Sequence, residues 1–269
     1  VQETLTTGED GSWSSDDVYI GHTYRIRYYH TDYEISDNVQ EYLIGEDAII
    51  AESVIAVKKD SVDETEVTDF TCTVLNGTYC QITGYTGTAT RVNIPSEIDG
   101  YIVQSIGNNA FKGNTTLTTV VFPESVETMG SNVFYGCASL TDVRLNEGLT
   151  NIGSYTFYGC TALQSITLPG TITDIGAYAF RGCTGLSTVN LPEGLLTIQH
   201  EVFNGCTALV SITLPDSVEG IGYRVFENCT KLNSINYPLN WSRTITCSNY
   251  TGVNVNGQIF TGCTSLKKI

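Results

Sequence analysis

The chain repeats itself with a period of 23 residues, and that period limits the possible folds more than any other feature. Phenylalanines stand at Phe111, Phe134, Phe157, Phe180, Phe203 and Phe226. Cysteines follow three places behind at Cys137, Cys160, Cys183, Cys206 and Cys229. Leucines keep the same beat at Leu117, Leu140, Leu163, Leu186, Leu209 and Leu232, and Phe260, Cys263 and Leu266 resume it after an insertion. A fixed period of this size marks a solenoid, in which a single unit cannot bury its apolar face and does so by stacking on its neighbours.

Within the copy that begins at Phe157, Leu163, Ile166 and Leu168 have the spacing of inward residues on one short strand per unit. Stacked units then give a parallel sheet on the concave side. Pro169 lacks an N–H and ends the pairing, as do Pro123, Pro192, Pro215 and Pro238. Ile172 and Ile175 turn inward again, Gly176 suits a tight bend, and Ala179-Phe180 closes the unit as a short helical turn with the ring wedged between coils.

The phrases ITGYTG and NIPSEIDGYIVQSIGNNAF, followed by the repeated F-x-G-C-x-x-L-x-x-I-x-L-P-x-x-I-x-x-I-G, resemble the BspA-like leucine-rich repeats of bacterial surface proteins. The resemblance covers residues 79–269 in roughly seven copies. It implies an α/β-type leucine-rich repeat solenoid, mostly β, with a parallel concave sheet and short helical turns. It also implies a bacterial origin, an extracellular or cell-surface location, and adhesion to host proteins or contact with other cells.

Formal net charge is -16, and residues 1–69 carry 17 acidic and 4 basic side chains, so -13 of it lies there. No basic stripe exists to displace counterions from a phosphate backbone, which argues against nucleic acid, and an anionic membrane surface is equally disfavoured. The acidity reads first as a solubilising surface. No apolar run approaches the roughly 18 residues of a membrane span, so this segment has no direct membrane insertion.

Residues 1–16 read as a polar lead-in without periodicity. Val18, Ile20, Tyr24, Ile26 and Tyr28 then alternate as in a strand pair broken at Gly21-His22. From Ser36 two readings compete: a short helix carrying Val39, Tyr42 and Leu43 on one face, or strand over Ala48 to Val57, the latter favoured. A small β-rich or mixed α/β module over 17–66 follows. The run YRIRYYHTDY with EYLIGEDAI resembles the small β-grasp modules of bacterial surface proteins. Lys58 to Asp69 has the charge of a linker. The expected division is an N-terminal module with its linker, 1–69, and a capping hairpin with repeats, 70–269.

FTCTVLNGTYCQITGY reads as a hairpin around Asn76-Gly77 that covers the end of the solenoid. A two-residue turn puts Leu75 opposite Thr78. A three-residue loop instead puts Cys72 opposite Cys80, where a cross-strand disulfide is conceivable.

The cysteine column reads as a ladder of small buried hydrophobes, with Asn114 in its first slot. One thiol per coil, without C-x-x-C or a nearby histidine, fails as a metal site, and like side chains pointing the same way give poor disulfide dihedrals. His22 and His30 share strand parity, a faint metal hint, and His200 fills a slot held elsewhere by Ala177 and Tyr223. No nucleophile elbow, phosphate loop, zinc motif or facing pair of carboxylates is found, so neither catalytic residues nor a cofactor are expected.

Binding candidates lie where the unit varies. The outward strand positions are Thr119 and Val121, then Asp142, Arg144, Ser165, Thr167, Thr188, Asn190, Ser211, Thr213, Ser234 and Asn236. They form either a plain solvated face or a shallow docking face for a large partner. Between Phe226 and Phe260 the spacing grows to 34, and Tyr237, Trp241 and Tyr250 there could anchor a glycan. Cys247 in the same loop has no counterpart in the column. The partner class is thus an extracellular protein or a glycan, with a structural spacer as the third reading. N-x-S/T sequons at Asn76, Asn114, Asn228, Asn240 and Asn249 matter only in a eukaryotic source. The run ending at Ile269 stops halfway into a strand, which suggests that the natural protein continues.

Overall fold

The computed structural model describes residues 67–236 and 258–266, and the backbone of four short strands nearer the N-terminus. The chain divides into two compact units, Val1–Val62 and Asp63–Ile269.

In the first unit Thr23–Arg27 pairs antiparallel with Val39–Leu43, and Tyr33–Ile35 with Ala56–Lys58. Val39–Leu43 is therefore strand and not the face of a helix. Five residues are too few for a helix to sustain itself, whereas pairing satisfies the backbone groups at once. Of the strand expected over Ala48 to Val57, the described part is Ala56–Lys58, with 48–55 outside the described residues.

The second unit opens with a 3-10 turn, Val67–Asp69, and a hairpin of Phe70–Val74 with Tyr79–Tyr85. Neither expected register is adopted. Val74 lies opposite Cys80 and Cys72 opposite Ile82, so the loop is Asn76-Gly77-Thr78 and is closed by the Leu75 N–H on the Tyr79 carbonyl. The Asn76 side-chain oxygen decides this, because it accepts from both the Thr78 and Tyr79 N–H groups while Gly77 takes a left-handed φ of 78°. Cys72 and Cys80 sit diagonally and are free thiols. Tyr79–Tyr85 then runs parallel to Tyr101–Ile106, with Cys80 and Ile82 fully buried against the first coil.

Each following coil contributes one strand to a parallel face: Arg91–Asn93, Thr119–Val121, Asp142–Arg144, Ser165–Thr167, Thr188–Asn190, Ser211–Ile212 and Ser234–Ile235. The middle residues Val92, Val120, Ile166 and Val189 point inward and are buried. A second parallel ladder of two-residue strands, Asn151–Ile152, Asp174–Ile175, Thr197–Ile198 and Gly220–Ile221, runs up another side. Ile172 and Ile175 are buried as expected.

The corner at Ala179-Phe180 is built of turns, and among the described residues none is α-helical. Tyr178 at φ 61° and Gly182 at φ 73° are left-handed, and a right-handed helix cannot pass through them. The corners gain inter-coil bonds instead: the Tyr178, Phe180 and Gly182 N–H groups donate to the His200, Val202 and Asn204 carbonyls.

The core is a stack of rings. Phe111, Phe134, Phe157, Phe180, Phe203, Phe226 and Phe260 follow one another with centroids 5.1–5.6 Å apart and interplanar angles of 4–24°. Beside it, each column thiol from Cys137 to Cys229 donates to the carbonyl of the phenylalanine 26 residues earlier, and Cys263, past the insertion, to Phe226 O 37 residues earlier. Cys183 Sγ reaches Phe157 O at 3.0 Å and Cys206 Sγ reaches Phe180 O at 3.2 Å. The cysteines are buried as expected, but they are donors as well as spacers. Asn114 fills the first slot with its side-chain oxygen, which accepts the Thr116 and Leu117 N–H groups.

Candidate functional site

The strand face sets one residue of each coil beside its counterpart in the next: Arg91 by Thr119, Thr119 by Asp142, Ser165 by Thr188, and Ser211 by Ser234. Alternation along a strand then turns its first and third residues to solvent. Arg144, Ser165, Thr167, Thr188, Asn190, Ser211, Thr213, Ser234 and Asn236 are exposed, and Asp142 is half-buried. The face is thus polar, with short side chains and few charges.

Several of these groups already have work in the fold. Asn236 both donates to and accepts from the backbone of Leu214, at 2.7 and 2.6 Å, and so clamps two coils. The Asn190 amide donates to Thr167 Oγ1 at 3.0 Å. Arg144 Nε lies 3.1 Å from Asp142 Oδ2 in an ion pair open to water, a geometry that contributes little to stability.

The face is not one continuous sheet. The strands ending at Arg144 and beginning at Ser165 are not joined in a ladder, and neither are those ending at Asn190 and beginning at Ser211. At the first break lies a recess of about 300 Å³. It is lined by Asp142 and Arg144 from one strand, Ser165 and Thr167 from the next, and also Glu147 and Pro169. Glu147 also accepts the Gly170 N–H at 3.0 Å.

The corners carry a feature that the sequence reading passed over. Tyr135 stacks on Tyr158 at 4.7 Å, Tyr155 on Tyr178 at 4.5 Å, and His200 on Tyr223 at 4.9 Å, with Tyr178 edge-on to His200. Ring faces covered by other rings leave little platform for a sugar. Burial, a phenol contact with Tyr223 and the carboxylate of Glu201 push the Tyr178 hydroxyl well above its usual range. Glu201 is only 6% exposed and is held by Arg181 at 2.5 Å and Asn204 at 3.1 Å. The 23-residue recurrence of Tyr135 with Tyr158 and of Tyr155 with Tyr178 was the signal available.

Among the described residues no group of three or more His, Cys, Asp or Glu side chains is arranged to hold a metal, and no helix is long and apolar enough to cross a membrane. His22, His30, Cys247 and the aromatic-loop residues Tyr237, Trp241 and Tyr250 lie outside the described residues.

Residues 85–201 match the family model of the BspA type leucine rich repeat region, in six copies. Among solved structures, a leucine-rich repeat protein from Bacteroides ovatus is 29% identical over 63% of this chain and 52% of that one, with a TM-score of 0.52. A leucine rich cell surface protein from Faecalibacterium prausnitzii is 29% identical over 62% and 52%, with a TM-score of 0.50. The T. pallidum leucine rich repeat protein is 28% identical over 74% of this chain and the whole of that one, with a TM-score of 0.53. The chain spans about half the length of the first two. No curated protein matches it in sequence. With their period, their parallel strand face and their stacked phenylalanine core, residues 85–201 form a BspA type leucine rich repeat region.

Proposed function

We propose that this chain is a non-enzymatic binding protein of the bacterial cell surface, and that its strand face docks an extracellular protein. One observation carries the reading: short polar residues stand in register within each pair of strands, Thr119 by Asp142, Ser165 by Thr188 and Ser211 by Ser234, with their side chains half or fully open to water. Such a face offers a long, low surface, which suits a macromolecule better than a small substrate. The cell-surface relative from F. prausnitzii supports the location.

The test is capture of immobilised extracellular-matrix proteins by the purified chain. The expected result is capture by the parent and its loss in the double variant Thr188→Arg, Ser211→Arg, which fills the face without touching the core. Undiminished capture by that variant overturns the reading. A glycan reading centred on Trp241 keeps its own test, since Trp241→Ala would abolish signals on a glycan array.

A further inference from the structure

The recess at the first break in the strand face is where chemistry concentrates on a surface otherwise made of hydroxyls. On either side of it the strands are paired, Thr119–Val121 with Asp142–Arg144 and Ser165–Thr167 with Thr188–Asn190. Between the two pairs the ladder is interrupted, and the space of about 300 Å³ opens there. That volume exceeds what one water needs and approaches the lower end of ligand sites.

Its polar walls carry two carboxylates, Asp142 and Glu147, against one guanidinium, Arg144, with the hydroxyls of Ser165 and Thr167 between them. The balance inside the recess is one negative charge. Arg144 Nε lies 3.1 Å from Asp142 Oδ2, in an exposed pair whose carboxylate another cation can share at little cost. Residues 70–269 carry 12 acidic and 9 basic side chains, a net -3, so the charge of the solenoid has the same sign as that of the recess.

We propose that the recess seats a lysine side chain of an extended, basic polypeptide partner. The ammonium has three donors, and the lining of the recess offers acceptors in Asp142, Glu147 and the Thr167 hydroxyl. Pro169 and the lysine's own methylene stem supply the apolar contact. The inference rests on the strand face being the docking surface and adds which partner chemistry anchors it.

The test is fluorescence anisotropy of the full chain at physiological ionic strength with a labelled lysine-rich peptide and its lysine-acetylated twin. Acetylation removes the charge and keeps the length. The expected result is binding of the first and at least about tenfold weaker binding of the second. Asp142→Asn with Glu147→Gln should weaken the first peptide about tenfold or more, while Glu193→Gln with Asp216→Asn, an equal change in net charge, should change it less than about twofold. Arg144→Gln frees Asp142 and should tighten binding, an effect opposite in sign to misfolding. Equal losses in both double variants would mean that the general field attracts the peptide, and would overturn the inference. So would equal binding of the acetylated peptide, or weakening by Arg144→Gln.

The same variants in the matrix-protein assay separate the two ideas. If Thr188→Arg with Ser211→Arg abolishes capture while Asp142→Asn with Glu147→Gln leaves it intact, the face docks its partner and the lysine seat is wrong. If neither pair affects capture, the face itself is wrong.

Discussion

A cysteine once per coil adds a second hydrogen bond, from the next coil, to a backbone carbonyl that already accepts the N–H three residues further on: Phe157 O takes both the Cys160 N–H and the Cys183 thiol. Cys160 Sγ serves Phe134 O at 3.2 Å, and Cys229 Sγ serves Phe203 O at 3.1 Å. Burial pushes the Cys183 and Cys229 thiols up to about 12, and the Cys137 thiol to about 11, from an ordinary 9.0. The consequence for stability has a definite sign. Below pH 9 the folded and unfolded chains both hold these protons, and the stabilisation is complete. Between pH 9 and 12 the unfolded chain releases protons that the folded chain keeps, so stability falls as pH rises. Melting temperatures followed from pH 8 to pH 10.5 should drop steeply in the parent and less steeply in a Cys160→Ala, Cys183→Ala, Cys206→Ala variant. That variant starts lower at pH 8, because each substitution removes one buried thiol–carbonyl bond, about 0.5–1.5 kcal/mol, although the carbonyl keeps its backbone donor. Parallel pH slopes would show that the thiols stay protonated in both states. The position of each cysteine was legible from its spacing. Its role as donor was not, because the acceptor is 26 residues away and becomes a neighbour only when the coils stack one ring apart.

At the scale of the element, the 23-residue coil is held by how closely its corners approach. A Cβ placed on Gly176 would lie 2.6 Å from the backbone nitrogen of Ser154 and 2.8 Å from the carbonyl carbon of Gly153. Backbone cannot rotate aside as a side chain can, so Gly176→Ala must push two coils apart. Gly194→Ala meets only the Gly170 carbonyl, at 3.2 Å. Chemical denaturation should therefore show Gly176→Ala destabilising by roughly 2–3 kcal/mol and Gly194→Ala by well under half of that. Equal losses would mean that glycine at 176 serves only chain flexibility. Sequence reading gave Gly176 to a tight bend; the turn begins at 177, and glycine at 176 is needed for the close approach of the Ser154 backbone, while the two-residue strands just before it were missed. Asp174–Ile175 is too short to show a period of two, and it is recognised as strand only through its partners at Asn151–Ile152 and Thr197–Ile198. The interruption of the strand face was also invisible: the copies on its two sides, DVRLNEG and SITLPGT, differ by one buried polar-for-apolar exchange, Asn146 for Pro169, and Asn146 spends its amide on the Glu124 and Val126 carbonyls.

At the scale of the whole chain, a solenoid stands or falls by its ends, because each coil is stabilised only by its neighbours. The hairpin at 70–85 serves as the N-terminal end. Phe70 is buried and packs against Tyr85 at 5.1 Å and Phe111 at 6.4 Å, which ties the hairpin into the ring stack. Cys80 and Ile82 are covered by the same arrangement. A fragment of residues 63–269 keeps this whole assembly, and its melting temperature should lie within a few degrees of the full chain's. A fragment of 86–269 loses Phe70, Cys80 and Ile82, three buried side chains worth about 1.5–3 kcal/mol each before chain entropy. It also presents the edge of Tyr101–Ile106 bare, and an unpaired strand edge recruits other chains. The second fragment should melt markedly lower and associate in light scattering, while the first stays monodisperse. If 63–269 also melted much lower than the full chain, the N-terminal unit would have to be part of the cap, and the division between module and solenoid would fall with it. If 86–269 matched 63–269, the hairpin would be an ornament on a coil able to close its own end.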